Sequence, residues 1–250
     1  MTSSPIVAIT EPAAGVALVT MQDRIHKNAF TDALIAELTR AFAALGTRAD
    51  LKTVVLTGYD NYFSSGGTQE GLRDLFDGKF VFTDRDLYSV ALNCPIPVIA
   101  AMQGHGIGGG FVMGLFADIV ILARESVYTA NFMRYGFTPG MGSTFIVPEK
   151  LGIALAGEMM LSAANYRGEE LQRRGVPFAV LPRDQVLMHA LELARSLAQK
   201  PRMSLVALKD HLAAPLRQKL PAFIEQEVAL HALTFQQPEV RERIETLFGQ

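Results

Sequence analysis

The stretch Pro97-Val98-Ile99-Ala100-Ala101-Met102-Gln103-Gly104-His105-Gly106-Ile107-Gly108-Gly109-Gly110-Phe111 constrains this chain more than any other. Its first half is an apolar run rich in Val and Ile, the pattern of a buried strand. The run stops at a glycine cluster, and a helix-like stretch from Phe111 to Ala117 follows. Glycines at such a transition let a backbone approach something closely and leave N–H groups free at a helix N-terminus. Those groups suit an anion or a developing oxyanion. Two readings stay open here. Gly104-x-Gly106-x-x-Gly109 satisfies the dinucleotide-binding fingerprint, and Glu125, beyond the apolar run Ile119–Ala123, stands near where a ribose-binding acid belongs. The oxyanion reading needs a second N–H donor from elsewhere in the chain.

Such a donor is offered by Phe63-Ser64-Ser65-Gly66-Gly67-Thr68-Gln69-Glu70, another strand-to-glycine transition that leads into a helix-like segment. Upstream, Ile6–Ile9 and Val16–Met21 read as strands around a turn at Glu11–Gly15, followed by a polar loop, Asp23–Asn28. Thr31–Leu45 reads as a helix with Leu34, Leu38, Ala41, Phe42 and Leu45 on one face and Gly46 ending it. Val54–Thr57 is a buried strand, and this order suggests βα units around a partly parallel sheet. The segment Gly71–Asp86 mixes Arg73, Asp74, Asp77, Lys79, Asp84, Arg85 and Asp86 with Phe76, Phe80 and Phe82. It reads as a loop or short helix covering a site. Further on, Ile119–Leu122 and Val127–Ala130 are strands, Phe137–Gly142 is a turn, and Thr144–Leu151, Ile153–Leu161 and Gly168–Arg174 are helices. Phe178–Leu181 is extended. From Arg183 the chain is helical, with breaks expected at Pro201, Pro215, Pro221 and Pro238. This divides it into a core, residues 1–190, and a helical part, residues 191–250, joined without a Gly/Ser linker and so packed rather than tethered. No internal repeat stands out.

Hydrophobic residues make up 49% of the 250, enough to build a large core. A net charge of −2 gives no reason to expect a nucleic-acid partner. Cys94, between Asn93 and Pro95, is the single cysteine; it cannot form an internal disulfide and reads as a small buried apolar residue in a reducing cytoplasm. No basic and apolar leader opens the sequence at Met1–Pro5, and no apolar run is long enough for a bilayer. The expectation is a cytoplasmic protein without membrane attachment.

Four motifs in order, Phe63-Ser-Ser-Gly66-Gly67, Gln103-Gly104-His105-Gly106-Ile107-Gly108-Gly109-Gly110, Ala117-Asp118-Ile119 and Thr138-Pro139-Gly140-Met141-Gly142, resemble the enoyl-CoA hydratase/isomerase (crotonase) superfamily. The resemblance runs from about residue 5 to the end. It implies an α/β fold, a crotonase-like ββα spiral with a helical C-terminal part, assembled as trimers or dimers of trimers through that part. It also implies that the N–H groups of Gly67 and Gly109 bind a thioester oxygen. Hydratases of the family carry two glutamates; the matching positions hold Val112 and Phe132, which move no proton. Water addition is therefore disfavoured.

A closer resemblance is to the second hydratase-like protein of polyketide β-branching cassettes. It is carried by Ala101–His105, the stretch Glu125–Pro139, Asn165-Tyr-Arg-Gly168, Leu205–Leu212 and His231-Ala-Leu-Thr-Phe235. What this implies is decarboxylation of 3-methylglutaconyl to 3-methylcrotonyl on the phosphopantetheine of an acyl carrier protein, with neither metal nor other cofactor, because the thioester is itself the electron sink. It also implies a catalytic histidine, His231, which its spacing alone would mark as a core or interface residue. A lysine of the first glycine loop is matched by Lys79, with Arg73 as the fallback, while a tyrosine of that loop has Gly71 in its place. His26 and Lys27 are expected to hold the phosphopantetheine arm or to form a solvated loop, and Ser65 and Tyr135 to contact substrate. Tyr128 is a packing residue or a ring stacked in the site. His105 is expected in the turn framework, His189 and His211 on helix surfaces, and Asp118 in a cap or ion pair. The rival readings are a hydratase or isomerase acting on CoA thioesters, a carrier-binding scaffold without catalysis, and the nucleotide-binding protein suggested by the fingerprint.

Overall fold

A computed structural model describes residues 5–84 and 86–248; Arg85, counted above among the charges of its segment, and the opening residues Met1–Ser4 lie outside the described residues. The chain opens with an antiparallel hairpin, β1 (Val7–Ala13) and β2 (Val16–Met21), and a helix, α1 (Asp32–Thr47). It then runs three times through the same sequence of elements: a strand of a large sheet, a short strand of a second sheet, and a helical turn. The first pass is β3 (Thr53–Thr57), β4 (Tyr62–Ser64) and α2 (Gln69–Phe76). After α3 (Val90–Asn93) comes the second, β5 (Val98–Met102), β6 (His105–Ile107) and α4 (Gly109–Leu115). The third is β7 (Ile119–Ala123), β8 (Val127–Thr129) and a 3-10 turn at Asn131–Tyr135. There follow α5 (Ser143–Leu151), α6 (Ile153–Ser162), β9 (Tyr166–Arg167), α7 (Gly168–Arg173), β10 (Ala179–Leu181), α8 (Arg183–Ala198), α9 (Arg202–Thr234) and α10 (Pro238–Leu247).

The large sheet has the order β1-β2-β3-β5-β7-β10 and is parallel from β2 onward. β3 and β5 are buried along their whole length, as interior strands of a parallel sheet covered on both faces must be. Alternate residues serve opposite faces. Val55, Ile99, Ala101, Ile121 and Ala123 meet Val186, Ala190, Ala194 and Ala198 of α8. Val54, Leu56, Val98, Ala100, Met102 and Leu122 point the other way, into the main core with α1 and α4. The second sheet, β4-β6-β8-β9, is short and parallel except for its last strand.

Several expectations are corrected. The threefold recurrence of strand, short strand and turn is a structural repeat that the residue pattern conceals, because each short strand spans only three residues. β1 continues through Glu11 and Pro12, so the turn tightens to Ala14-Gly15, where Gly15 adopts φ +76°. Gly46 lies inside α1, which Thr31 caps by accepting the Leu34 N–H. Pro215 and Pro221 do not break the last long helix; both lie inside α9. Each removes one backbone hydrogen bond, and burial at Leu205, Lys209, Ala213, Leu220 and Glu227 keeps the segment helical across them. The division expected at 190/191 falls within α8, which covers the sheet; the chain leaves the sheet only after Ala198.

One ionic tie anchors α9 to the sheet layer. The buried Lys209 ammonium lies 2.8 Å from Asp118 and donates to the carbonyls of Ala91 and Ile96. Asp118 in turn accepts the Val98 N–H at 2.7 Å, which fulfils the pairing role expected for it. Asp118 keeps contact with solvent, so the cost of losing the ammonium falls mainly on the carbonyls of Ala91 and Ile96 left without their donor. Lys209→Ala is expected to lower unfolding free energy by about 2 kcal/mol, measurable as a shift of the denaturant midpoint at unchanged slope.

Candidate active site

Parallel pairing of β4 with β6, Tyr62 opposite His105 and Ser64 opposite Gly106, sets the two strand-to-helix turns side by side. Gly66 adopts φ +77°, and a Cβ on it would lie 2.5 Å from the Ile107 oxygen and 3.2 Å from the Gly109 nitrogen. No other residue fits that contact. Gly109 is the first residue of α4, where backbone N–H groups have no partner within the helix. Among the described residues, neither the Gly67 nor the Gly109 N–H donates to another protein group, and both residues line a cavity of about 660 Å³. Two fixed donors on touching turns are an arrangement for stabilising an oxyanion.

The dinucleotide reading does not survive this geometry. Its first glycine, Gly104, is packed against the chain itself, with a Cβ there 2.3 Å from the Tyr62 nitrogen. His105–Ile107 forms a strand between that glycine and the helix. At the second glycine, Gly106, a Cβ would meet the Met102 Cε at 2.8 Å and the Tyr128 ring at 3.2 Å, so the close approach that a pyrophosphate would need is filled by side chains of the core.

The cavity wall is aromatic, with Phe80, Phe82, Phe132, Tyr135 and Phe137 among its residues. His231, on α9, closes the site opposite the glycine turns. Its Nε2 lies 2.7 Å from the Thr138 carbonyl, which can only accept, so Nε2 carries a proton and Nδ1 is left for a ligand. Rings of Phe82, Phe235 and Phe137 stand at 4.8, 5.5 and 5.9 Å from the imidazole. Burial lowers the pKa of His231, and the bond to Thr138 opposes that shift without cancelling it. Gly140 makes room for the ring: a Cβ there would lie 2.9 Å from its Cε1.

No aspartate or glutamate lines the cavity among the described residues. Phe132 does line it, while Val112 is fully buried within α4. Neither site where a water-activating acid would be sought holds one. Among the described residues, no three His, Cys, Asp or Glu side chains are grouped to hold a metal ion, and no helix is long and apolar enough to cross a membrane.

The structure gathers seven of the expected site residues around one cavity: Gly67, Gly109, His231, His26, Lys27, Ser65 and Tyr135. His26, at the exposed rim, donates through Nδ1 to buried Asp23 at 2.9 Å. The Lys27 ammonium lies 5.5 Å over the Tyr62 ring. Ser65 donates to the His26 carbonyl, and Tyr135 stacks on Phe137 at 15°. Lys79 and Arg73 stand apart. The Lys79 ammonium is exposed and held by Asp74, with Asp77 at 3.8 Å, although its neighbour Phe80 lines the cavity. Arg73 forms a two-pronged pair with Glu245. Tyr128 is a packing residue, fully buried with its hydroxyl donated to the Met102 carbonyl. His105 lines the cavity with Nδ1 accepting the Val127 N–H, and His189 and His211 are exposed. Asn131, Arg134 and Met141 also line the cavity and were not singled out in the sequence. The signal for two of them was the repeat: Asn131 and Arg134 follow β8 as Gly67 follows β4 and Gly109 follows β6, and each short strand ends at the cavity.

The chain belongs to the enoyl-CoA hydratase/isomerase family, whose description matches residues 11–248. It is 63% identical to the bacillaene synthase decarboxylase PksI of Bacillus subtilis (strain 168), over 98% of both chains. A solved structure from a dehydratase/decarboxylase enzyme couple involved in polyketide β-branching superposes with a TM-score of 0.97 at 62% identity, covering 98% of this chain and 100% of that one. The ECH2 decarboxylase domain of CurF from Lyngbya majuscula gives a TM-score of 0.94 at 45% identity, with the same coverage.

With Nε2 bound to a carbonyl and the ring packed among phenylalanines, His231 is expected to titrate on the acid side of the usual imidazole range. NMR of ring-labelled histidine, with His231→Gln to assign the signal, reads both that value and the tautomer.

Proposed function

We propose that this chain decarboxylates 3-methylglutaconyl carried on the phosphopantetheine of an acyl carrier protein to 3-methylcrotonyl on the same carrier, releasing CO₂, in polyketide β-branching. The observation that carries this reading is a cavity in which two unpartnered N–H groups and the phenylalanine-packed His231 meet with no carboxylate among the described lining residues. Identity to relatives named as decarboxylases supports it. Hydration requires a base for water, and the cavity offers none of the acids that family hydratases use.

The chemistry follows from the donors present. The bond between the γ-carbon and the carboxylate breaks, and its electron pair becomes a new γ,β double bond. The former β,α double bond shifts to the α-carbon and thioester carbon, leaving the charge on the thioester oxygen. That dienolate oxygen sits between the Gly67 and Gly109 N–H groups, each worth about 3 kcal/mol of barrier in comparable sites. His231 then gives a proton from Nδ1 to the γ-carbon, which restores the α,β double bond. Histidine suits this step because it holds or releases a proton near neutrality. The phenylalanine wall excludes water from a basic carbanion.

The substrate brings its own negative charge into an apolar chamber whose lining includes Lys27 and Arg134. In this reading His26 and Lys27 hold the phosphopantetheine arm at the rim, and Ser65 and Tyr135 flank the acyl chain. Lys79 reaches the departing carboxylate by exchanging Asp74 for it, and such exposed pairs exchange at little cost. A looser grip on the carboxylate favours its departure, since tight ground-state binding would slow the reaction. No resident cofactor takes part. Assembly into trimers or dimers of trimers is supported by the apolar residues that α9 leaves exposed, Leu208, Leu212 and Leu233 among them.

Intact-mass analysis of 3-methylglutaconyl-loaded carrier protein is the direct test. The wild type is expected to remove CO₂, His231→Ala to lose that activity, and crotonyl-CoA hydration to be negligible in both. An unchanged carrier mass with wild-type enzyme would overturn the assignment. Gly66→Ala, which forces apart the two turns, is expected to lower kcat by about a hundredfold in single-turnover assays of the same carrier. The kcat/KM profile is expected to fall as pH rises, with its inflection below the usual imidazole range, because the acid form of His231 is required and burial disfavours that form.

A further inference from the structure

Glu227 is fully buried one helical turn before His231 on α9, and the chemistry above leaves it without a task. Its Oε2 accepts the Gly142 N–H at 2.7 Å. Its Oε1 accepts the Thr144 N–H at 2.8 Å and the Thr144 hydroxyl at 2.6 Å. Burial raises its pKa, while these three bonds, all donated to it, favour the carboxylate. A buried charge is an expensive way to cap a helix when Ser, Thr or Asn serve at the cap position itself.

What Glu227 grips is the loop from Thr138 to Thr144, which touches both halves of the site. At one end, the Thr138 carbonyl holds His231 Nε2, and Gly140 packs against the imidazole. In the middle, Met141 adopts φ +63° and lies against Gly109, where a Cβ would meet its sulfur at 2.7 Å. Beyond it, Gly142 adopts φ +70°, and the Ser143 hydroxyl donates back to the Gly140 carbonyl at 2.5 Å. The loop is thus a spacer between the proton donor and one oxyanion donor, and Met141 within it holds left-handed backbone that costs energy to maintain in a residue other than glycine. Glu227 and His231 share one helix face, so the carboxylate fixes the spacer to the element that carries the acid.

We infer that Glu227 is a positioning residue that sets the distance between His231 and the Gly109 N–H, and thereby selects which carbon of the dienolate is protonated. The inference rests on the decarboxylase reading for its chemical readout. Misplacement by about 1 Å at reacting atoms costs on the order of a hundredfold in rate. It would also let the α-carbon compete with the γ-carbon for the proton, giving the β,γ-unsaturated isomer.

The test compares Glu227→Gln, which keeps size but offers one accepting oxygen, with Thr144→Val, which removes only the hydroxyl bond. Measured on loaded carrier protein, E227Q is expected to lower kcat by about ten- to a hundredfold with KM little changed. Chromatography of the released acyl groups is expected to show a raised share of the β,γ isomer. T144V is expected to move both in the same direction by less, and it serves alone where E227Q does not fold. Labelled-histidine NMR of the same proteins is expected to show a displaced His231 titration. A variant that retains the wild-type isomer ratio and His231 titration overturns the inference, whatever its stability. Absence of CO₂ release by the wild type would instead sink the decarboxylase reading, and the NMR comparison would still decide whether Glu227 positions His231.

Discussion

Two short registers, Tyr62 with His105 and Ser64 with Gly106, decide where the chemistry of this molecule can take place. Strands of three residues cannot hold a register by themselves. They inherit it from the large sheet, where β3 and β5 pair in register from Val54 with Val98 to Thr57 with Ala101. β3, β5 and β7 of that sheet each feed a short strand a few residues later, so alignment in the thick apolar layer is handed to the thin layer beside the cavity. Glycine at position 66 then removes the last steric obstacle, and two peptide N–H groups from segments some forty residues apart face one space. A slip of one residue between β4 and β6 would separate them and reverse the side chains around them.

The scaffold therefore brings two unpartnered N–H groups to one cavity before any reactive side chain is added. What distinguishes this chain is the set of side chains placed around that site. The turn after β6 and the turn after β8 place Val112 in the core and Phe132 on the wall, so these elements contribute dryness rather than acidity. The histidine proposed as proton donor comes from α9, an element anchored at a distance by Lys209 and beside the site by Glu227. Keeping water out and keeping the acid still are separate requirements, and the molecule meets them with separate elements. With no carboxylate among the described lining residues, the cavity lacks the groups that would activate water against an electron-rich intermediate.

Much of this was legible in the residues. The strands of the large sheet announce themselves as apolar runs, and the helix Asp32–Thr47 shows its buried face by spacing. The glycine turns mark the two N–H groups that reach the cavity, and the motif order fixes the family. The short second sheet was not legible, because His105-Gly106-Ile107 has no strand character apart from its partners. With it went the repeat, and with the repeat the placement of Asn131 and Arg134 at the cavity. Lys79 illustrates a different limit. Its place in a charged segment could be read, but whether its ammonium faces the cavity or Asp74 depends on how that segment lies over the site. Pro215 and Pro221 read as breaks because local rules forbid them in helices, whereas packing along α9 overrides the rule.

The bond from His231 Nε2 to the Thr138 carbonyl has a consequence for the rhythm of turnover. An imidazole exposed on both nitrogens could be recharged from one side while acting through the other. Here one nitrogen is sealed by backbone, and the remaining one faces the chamber that the acyl chain fills. In the proposed reaction His231 is therefore a single-port acid: it is loaded before the acyl chain settles and reloaded once the product has left. Each such cycle carries in the one proton it will spend, and the vacated chamber is where the acid is reset.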